Sequence, residues 1–178
     1  IIMNTGPELP IYSSGVFKSS DKYDIRMAVP GDARVIAAFQ LAMALETEGL
    51  MLDPDVVDKG VSAVFDDPSR GRYYVAEING EVAGSLLTTF EWSDWRNGTV
   101  LWIQSVYVLP MHRRKGVYRS LYRFIQDQVS NDSSLRGIRL YADKSNIAAQ
   151  QTYTSLGMRS DHYLTFEWMK DRSSAVFP

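Results

Sequence analysis

The sequence contains no cysteine and only two histidines, His112 and His162. The first absence removes disulfides, thiolate metal sites and a cysteine nucleophile together. The second leaves too few imidazoles for most histidine metal sites, so no bound metal is expected. Excess positive charge is also missing. Nineteen Lys and Arg stand against 21 Asp and Glu, a formal net charge of -2, so no global basic field exists to hold a nucleic-acid backbone and nucleic acid is not an expected partner. No run approaches the roughly 18 apolar residues of a membrane span, and the start of the sequence lacks the basic region and long apolar stretch of a signal peptide. A soluble, cytoplasmic protein without a membrane partner is the default expectation. Neither G-x-x-x-x-G-K-[S/T] nor G-x-G-x-x-G occurs, which sets aside the two common nucleotide-binding loops.

What is present suffices for one sizeable core: 178 residues, 45% of them hydrophobic, fit a single domain. Residues 1–22 carry two prolines, two glycines and serines without a sustained period, and read as a tail or surface-wrapped segment with no assigned role. Residues 23–171 form the expected domain, and 172–178 a C-terminal tail. Within the domain, Ile25–Met27 predicts a short strand. Pro30-Gly31-Asp32 opens a helix with Val35, Ile36, Phe39 and Met43 on one face, ending near Gly49. Asp53-Pro54 predicts a capped second helix with Val57, Val61, Val64 and Phe65 inward, stopping before Pro68. From Arg72 the period changes to two: strands Tyr73–Ile78 and Glu81–Glu91 flank Asn79-Gly80, the dipeptide a type I′ hairpin turn favours.

A second Asn-Gly, Asn97-Gly98, leads into the strand Thr99–Val108. Both of its faces are apolar, Val100, Trp102, Val106 and Val108 on one and Leu101, Ile103 and Tyr107 on the other, so it is expected to be central and covered on both sides. Gln104 and Ser105 interrupt that run. After Pro110 and a basic loop, Val117, Leu121, Phe124, Ile125 and Val129 define an amphipathic helix. Strand Gly137–Tyr141, helix Ser145–Leu156 and strand His162–Met169 complete the expected order.

The segment Val106 to Tyr118 carries the clearest chemistry. A central strand runs through His112-Arg113-Arg114-Lys115 into a helix opening at Gly116, which sets free backbone amides, the positive end of a helix and several cations at one point. A pyrophosphate needs that combination. A solvated basic turn is the competing reading of the loop taken alone.

Strand, proline, Arg113-Arg114-Lys115-Gly116 and helix together resemble the acetyl-CoA motif [Q/R]-x-x-G-x-[G/A] of the GNAT acetyltransferase superfamily. Downstream, Asn146, six residues, Tyr153, three residues and Gly157 is similar to that family's second pattern. The element order from Ile25 to Met169 also resembles the GNAT fold. It implies a mixed α/β (α+β) architecture, with a central sheet of about six to seven strands, antiparallel in its first half, flanked by about four helices. One departure stands out: Tyr118 occupies the position where the family usually has Gly or Ala, where a small residue permits close approach to the phosphates.

The resemblance implies acetyl-CoA as cofactor, bound by Val106, Tyr107, Val108, Arg113, Arg114, Lys115, Gly116, Val117, Tyr118, Arg119, Asn146 and Tyr153. It also implies that the strand near Val106–Val108 splays from its neighbour, so that its backbone pairs with pantetheine and polarises the thioester carbonyl, a commonly dominant catalytic contribution. Attack is direct, without an acyl-enzyme. Tyr153 stands at the family's general-acid position; packing as a core aromatic is its competing role. Asn146 either caps its helix or bonds the pantetheine arm, and the two roles are compatible.

The acceptor is expected to be a primary amine, which must lose a proton before attack, so a carboxylate near the site is required. Candidates are Glu46 and Glu48 at the end of the first helix, and Glu91 and Asp94 between two strands. Glu91 is taken as the catalytic base in the leading assignment. Trp92 and Trp95 either enclose a cationic amine by cation–π contact or pack as a hairpin tip. The acidic net charge leans toward small cationic amines. A CoA-binding regulatory module without turnover and a protein or peptide N-acetyltransferase are the alternatives; a homodimer is left open.

Overall fold

The computed structural model describes residues 17–18, 23–160, 164–166 and 168. Its elements are β1 (Phe17–Lys18), β2 (Asp24–Met27), α1 (Ala33–Glu48), α2 (Pro54–Asp66), β3 (Arg72–Ile78), β4 (Glu81–Ser93), β5 (Gly98–Val108), α3 (Val117–Asn131), β6 (Leu135–Leu140) and α4 (Ile147–Ser155). The strands form one sheet in sequence order, β1 to β6. All neighbours are antiparallel except β5 and β6, which run parallel with α3 as their crossover.

Local sequence chemistry accounts for most boundaries. Asp53 caps α2 by accepting the Asp55 amide at 2.9 Å, worth about 1 kcal/mol, and Pro54 at the first helical position lacks only an N–H that the helix would not use. Asn79 and Gly80 take φ values of 53° and 80°, the two positive angles of a type I′ turn, so β3 and β4 form the expected hairpin. The second Asn-Gly behaves differently. A single 3-10 turn, Asp94–Arg96, precedes it and only Asn97 is left-handed, at φ 43°.

Two apolar layers clasp the sheet. On one face Ile25, Tyr74, Ala76, Leu86, Leu101 and Ile103 pack against Leu121, Phe124 and Ile125 of α3; each such aliphatic side chain contributes about 1.5–3 kcal/mol on burial. On the other face Tyr73 and Val75 meet Ile36 and Ala37 of α1 and Val61 of α2. Where α1 starts, Asp32 accepts Arg26 at 2.7 Å and the Val29 amide at 2.7 Å, while Arg26 also reaches Glu77 at 2.5 Å. This polar knot ties the helix entry to β2 and β3.

The alternation expected along β5 is corrected by a bulge. Thr88 pairs with Ile103 and Leu87 with Ser105, so Gln104 is an extra residue without a partner of its own on β4. A bulge residue shifts the side-chain phase by one. Val106 and Val108 therefore join Leu101 and Ile103 in the α3 layer, instead of sharing a face with Val100 and Trp102. Tyr107 moves to the α1 side, 5.1 Å from the Phe39 ring. The strand expected at His162–Met169 lies largely outside the described residues, and Leu164, Thr165, Phe166 and Trp168 have no strand pairing. Of the expected tail, Phe17–Lys18 pairs with β2 as an edge strand.

Candidate active site

The bulge also decides where β5 opens. β6 pairs with Thr99 to Ile103 and ends at Leu140; from Gln104 to Val108 the β6-facing edge of β5 has no strand partner among the described residues. Bulges bend a strand and raise its twist, and the one at Gln104 falls where the β6 pairing stops. Backbone donors and acceptors along that edge have no sheet partner among the described residues.

The same end of β5 runs into the basic loop. Arg113 is extended at φ -65°, Arg114 is left-handed at 58° and Gly116 at 91°, and such changes of hand turn successive amides toward a common concavity. A Cβ built on Gly116 meets nothing within 4 Å, so space is open above the backbone there. The first intrahelical bond of α3 is Ser120 N–H to Gly116 O, at 3.0 Å. The amides of Val117, Tyr118 and Arg119 lie in the first turn and have no helical carbonyl to bond. These groups set unbonded amides and the positive end of a helix at one point, the chemistry that suits an anion.

The four cations of the motif are not equivalent. Arg113 is tied down although 42% of its side chain stays exposed: its Nε donates to Val108 O at 2.8 Å, its Nη2 to Glu46 at 2.5 Å, and its guanidinium lies 5.3 Å from the Tyr107 ring centroid. Arg114, Lys115 and Arg119 are exposed and make no ion pair among the described residues. Arg113 fastens the loop to β5 and α1, and the other three face outward.

Gly84 supports this end of β5, and the sequence reading passed over it. It lies opposite Val108, and a Cβ there would come within 2.8 Å of Tyr107 O and 3.3 Å of both Val108 and Val117 side chains. Backbone cannot yield as a flexible side chain does. Gly84→Ala should therefore destabilise the fold by about 1–3 kcal/mol, read as a lower midpoint of thermal unfolding, and should shift both the end of β5 and the start of α3. An isolated glycine inside a strand was the available signal.

The acids separate into two positions on the α1 side of the sheet. Glu46 accepts Arg113 and, at 2.7 Å, the Tyr107 hydroxyl; the Arg113 hydrogen bond first, then that of Tyr107, hold its carboxyl below the usual carboxylate range. Glu91 accepts Arg139 at 2.5 Å and also the Trp102 indole N–H. Trp102 lies 4.6 Å from the Tyr141 ring. Between the two, Gln104 donates to Thr89 at 2.8 Å. Glu48 is exposed at the end of α1. Trp92 and Trp95, 65% and 91% exposed, form no ring contact with each other among the described residues, and Asp94 accepts the Trp95 amide at 2.8 Å.

In α4, Asn146 Oδ1 accepts the Ala149 amide at 3.0 Å, the capping role. Tyr153 meets Tyr118 edge to face at 5.5 Å between centroids, and Tyr118 is 6.1 Å from Tyr122. Burial holds the Tyr153 hydroxyl above the usual phenol range, so it keeps its proton at neutral pH. Among the described residues no group of three or more His, Cys, Asp or Glu could hold a metal, and no described helix is long and apolar enough to cross a membrane.

The acetyltransferase (GNAT) family model matches residues 41–158, a span that includes the β5 edge, the loop and α4. The chain belongs to the GNAT family. Its members use acetyl-CoA as cosubstrate, and the open edge, the amide concavity and the outward cations fit that molecule. A possible acetyltransferase from Clostridium difficile 630 is 42% identical, with a TM-score of 0.79 over 85% of this chain and 100% of that one. An uncharacterized N-acetyltransferase of Methanocaldococcus jannaschii is 30% identical over 104 residues, 58% of this chain and 62% of the relative, so the chain spans less than two thirds of that protein's length. The aminoglycoside N-acetyltransferase AAC(6′)-Iy, solved in complex with CoA, shares the fold at 14% identity, with a TM-score of 0.68 over 88% of this chain and all of the other.

Proposed function

We propose that this chain is an N-acetyltransferase that moves an acetyl group from acetyl-CoA to a small cationic primary amine, by direct attack while both substrates are bound. The observation that carries the reading is the edge of β5 from Gln104 to Val108, unpaired among the described residues, which runs directly into an amide-lined, outwardly cationic loop. Acetyl-CoA supplies the activated acyl thioester when bound. The loop and the first turn of α3, from Arg113 to Arg119, hold its phosphates, Val106, Tyr107 and Val108 offer backbone to its arm, and Asn146 stands at the start of α4. Free amides on that edge stabilise negative charge developing on a carbonyl oxygen, an effect strengthened because the donors are already oriented.

Tyr153 donates a proton to the departing sulfur, and its raised pKa keeps it in the donor form across the working range. On the other side of the sheet Glu91, fixed by Arg139 and Trp102, receives the amine proton directly or through water. Glu46 and Glu48 add negative charge on the same side, and Asp94, Trp92 and Trp95 extend from the tip of the β4–β5 connection as the outer acceptor contacts. The acceptor class also draws on AAC(6′)-Iy, solved in complex with the bisubstrate analogue CoA-S-monomethyl-acetylneamine.

An acetyl-CoA consumption screen over polyamines, amino sugars and peptides with free amino groups tests this. Turnover is expected with small cationic amines and not with peptides. CoA binding without consumption across the whole panel would instead make the chain a CoA-binding module.

A further inference from the structure

Tyr118 is out of keeping with its place. The position follows the loop glycine by two residues, where the acetyl-CoA motif described above has Gly or Ala, and a phenol there fills space that a small residue leaves open. Its hydroxyl oxygen is buried and has no hydrogen-bond partner among the described residues. Its ring is wedged between Tyr122, one turn on in α3, and Tyr153 of α4. A buried hydroxyl without a partner is destabilising, because its bonds to water are lost and nothing replaces them. Phenylalanine would fill the same volume without that cost.

The geometry points to the Tyr118 hydroxyl as a hydrogen-bond donor to the pantetheine arm of bound acetyl-CoA, a contact made by this chain where the motif has no side chain to make one. Tyr118 lies between the loop assigned to the pyrophosphate and Tyr153, assigned to the thioester sulfur. The part of the cosubstrate joining those two points is the arm, whose amide carbonyls are acceptors. Access requires Tyr153, which packs edge to face on Tyr118, to shift with α4, a helix whose side chains are at most partly buried. This inference rests on acetyl-CoA as the cosubstrate and assigns Tyr118 a binding role: its hydroxyl holds the arm along its passage from the loop to Tyr153.

Tyr118→Phe provides the test because stability and affinity should move in opposite directions. Without ligand, the variant should melt about 2–4 °C higher than wild type, since an unsatisfied buried group is removed. Its CoA affinity by calorimetry should fall about 5- to 50-fold, since an arm carbonyl loses its donor. In steady state, KM for acetyl-CoA should rise with kcat nearly unchanged, the reverse of the pattern expected for Tyr153→Phe. A Tyr118→Phe protein that binds CoA as wild type does would overturn the proposal and leave Tyr118 as packing. Wild-type protein that shows no saturable CoA binding would overturn the cosubstrate reading itself.

Discussion

Tyr153→Phe should lower kcat by about 10²- to 10⁴-fold while CoA affinity stays near wild type, the range expected when a general acid is lost without loss of binding surface. The phenyl ring keeps its edge-to-face contact with Tyr118, so the variant should fold and bind. The pH profile provides a second readout. Because burial raises the Tyr153 pKa, its protonated, active form persists as pH rises through the ordinary phenol value near 10, and wild-type activity should decline only above it. That alkaline limb should flatten or move in the variant. Stopped-flow acetyl transfer with calorimetry on the same samples checks both parts. A wild-type rate and profile would reduce Tyr153 to a packing residue and assign protonation of the leaving sulfur to water.

Gly116→Val should weaken CoA binding about 100-fold or more, against about 2- to 5-fold for Arg114→Ala. Gly116 has φ 91°, a conformation that a β-branched residue adopts only with strain of about 1–3 kcal/mol. The space above it is open, since a Cβ there meets no protein atom within 4 Å, and the proposed phosphate seat uses that space. Relief of the strain would turn the amides that follow. Arg114 is exposed and its loss leaves every amide in place, so only a screened surface charge disappears. Calorimetry at two salt concentrations distinguishes the cases, with circular dichroism to confirm folding. Equal losses would shift the phosphate grip from backbone to side-chain charge.

Much of the fold was legible because its signals are local. Asp53-Pro54, Asn79-Gly80 and the 3.6-residue spacing of Val117, Leu121, Phe124 and Ile125 each constrain only a few neighbouring residues, and each gave the element expected. Gln104 did not announce itself in the same way. A bulge is a relation between two strands, and Gln104-Ser105 reads simply as a polar interruption until β4 is laid beside it. The faces assigned past that point were consequently out of phase.

The site shows the same division. Arg113, Gly116, Asn146 and Tyr153 were legible as a spacing pattern, but which cation is tied down and which are left outward was not. That choice depends on Glu46, 67 residues away, reaching Arg113 across the fold. The Arg139–Glu91 pair likewise joins residues 48 apart. Trp92 and Trp95 were grouped because they are close in sequence. Trp92 sits on a strand, where neighbours point to opposite faces, and Trp95 sits on the turn beyond it.

The extra residue at Gln104 makes β5 behave like a sentence read in two frames. Before it, odd positions such as Leu101 and Ile103 belong to the α3 layer; after it, even positions such as Val106 and Val108 do. Deleting Gln104 would merge the two frames without turning any later side chain over: Val106 and Val108 would stay in the α3 layer and Tyr107 would still meet Glu46. What a single-residue deletion would remove is the local bend and added twist that a bulge puts into a strand. Exchanges upstream of Gln104, at Trp102 for instance, leave the frame in which Val106 to Val108 are read untouched.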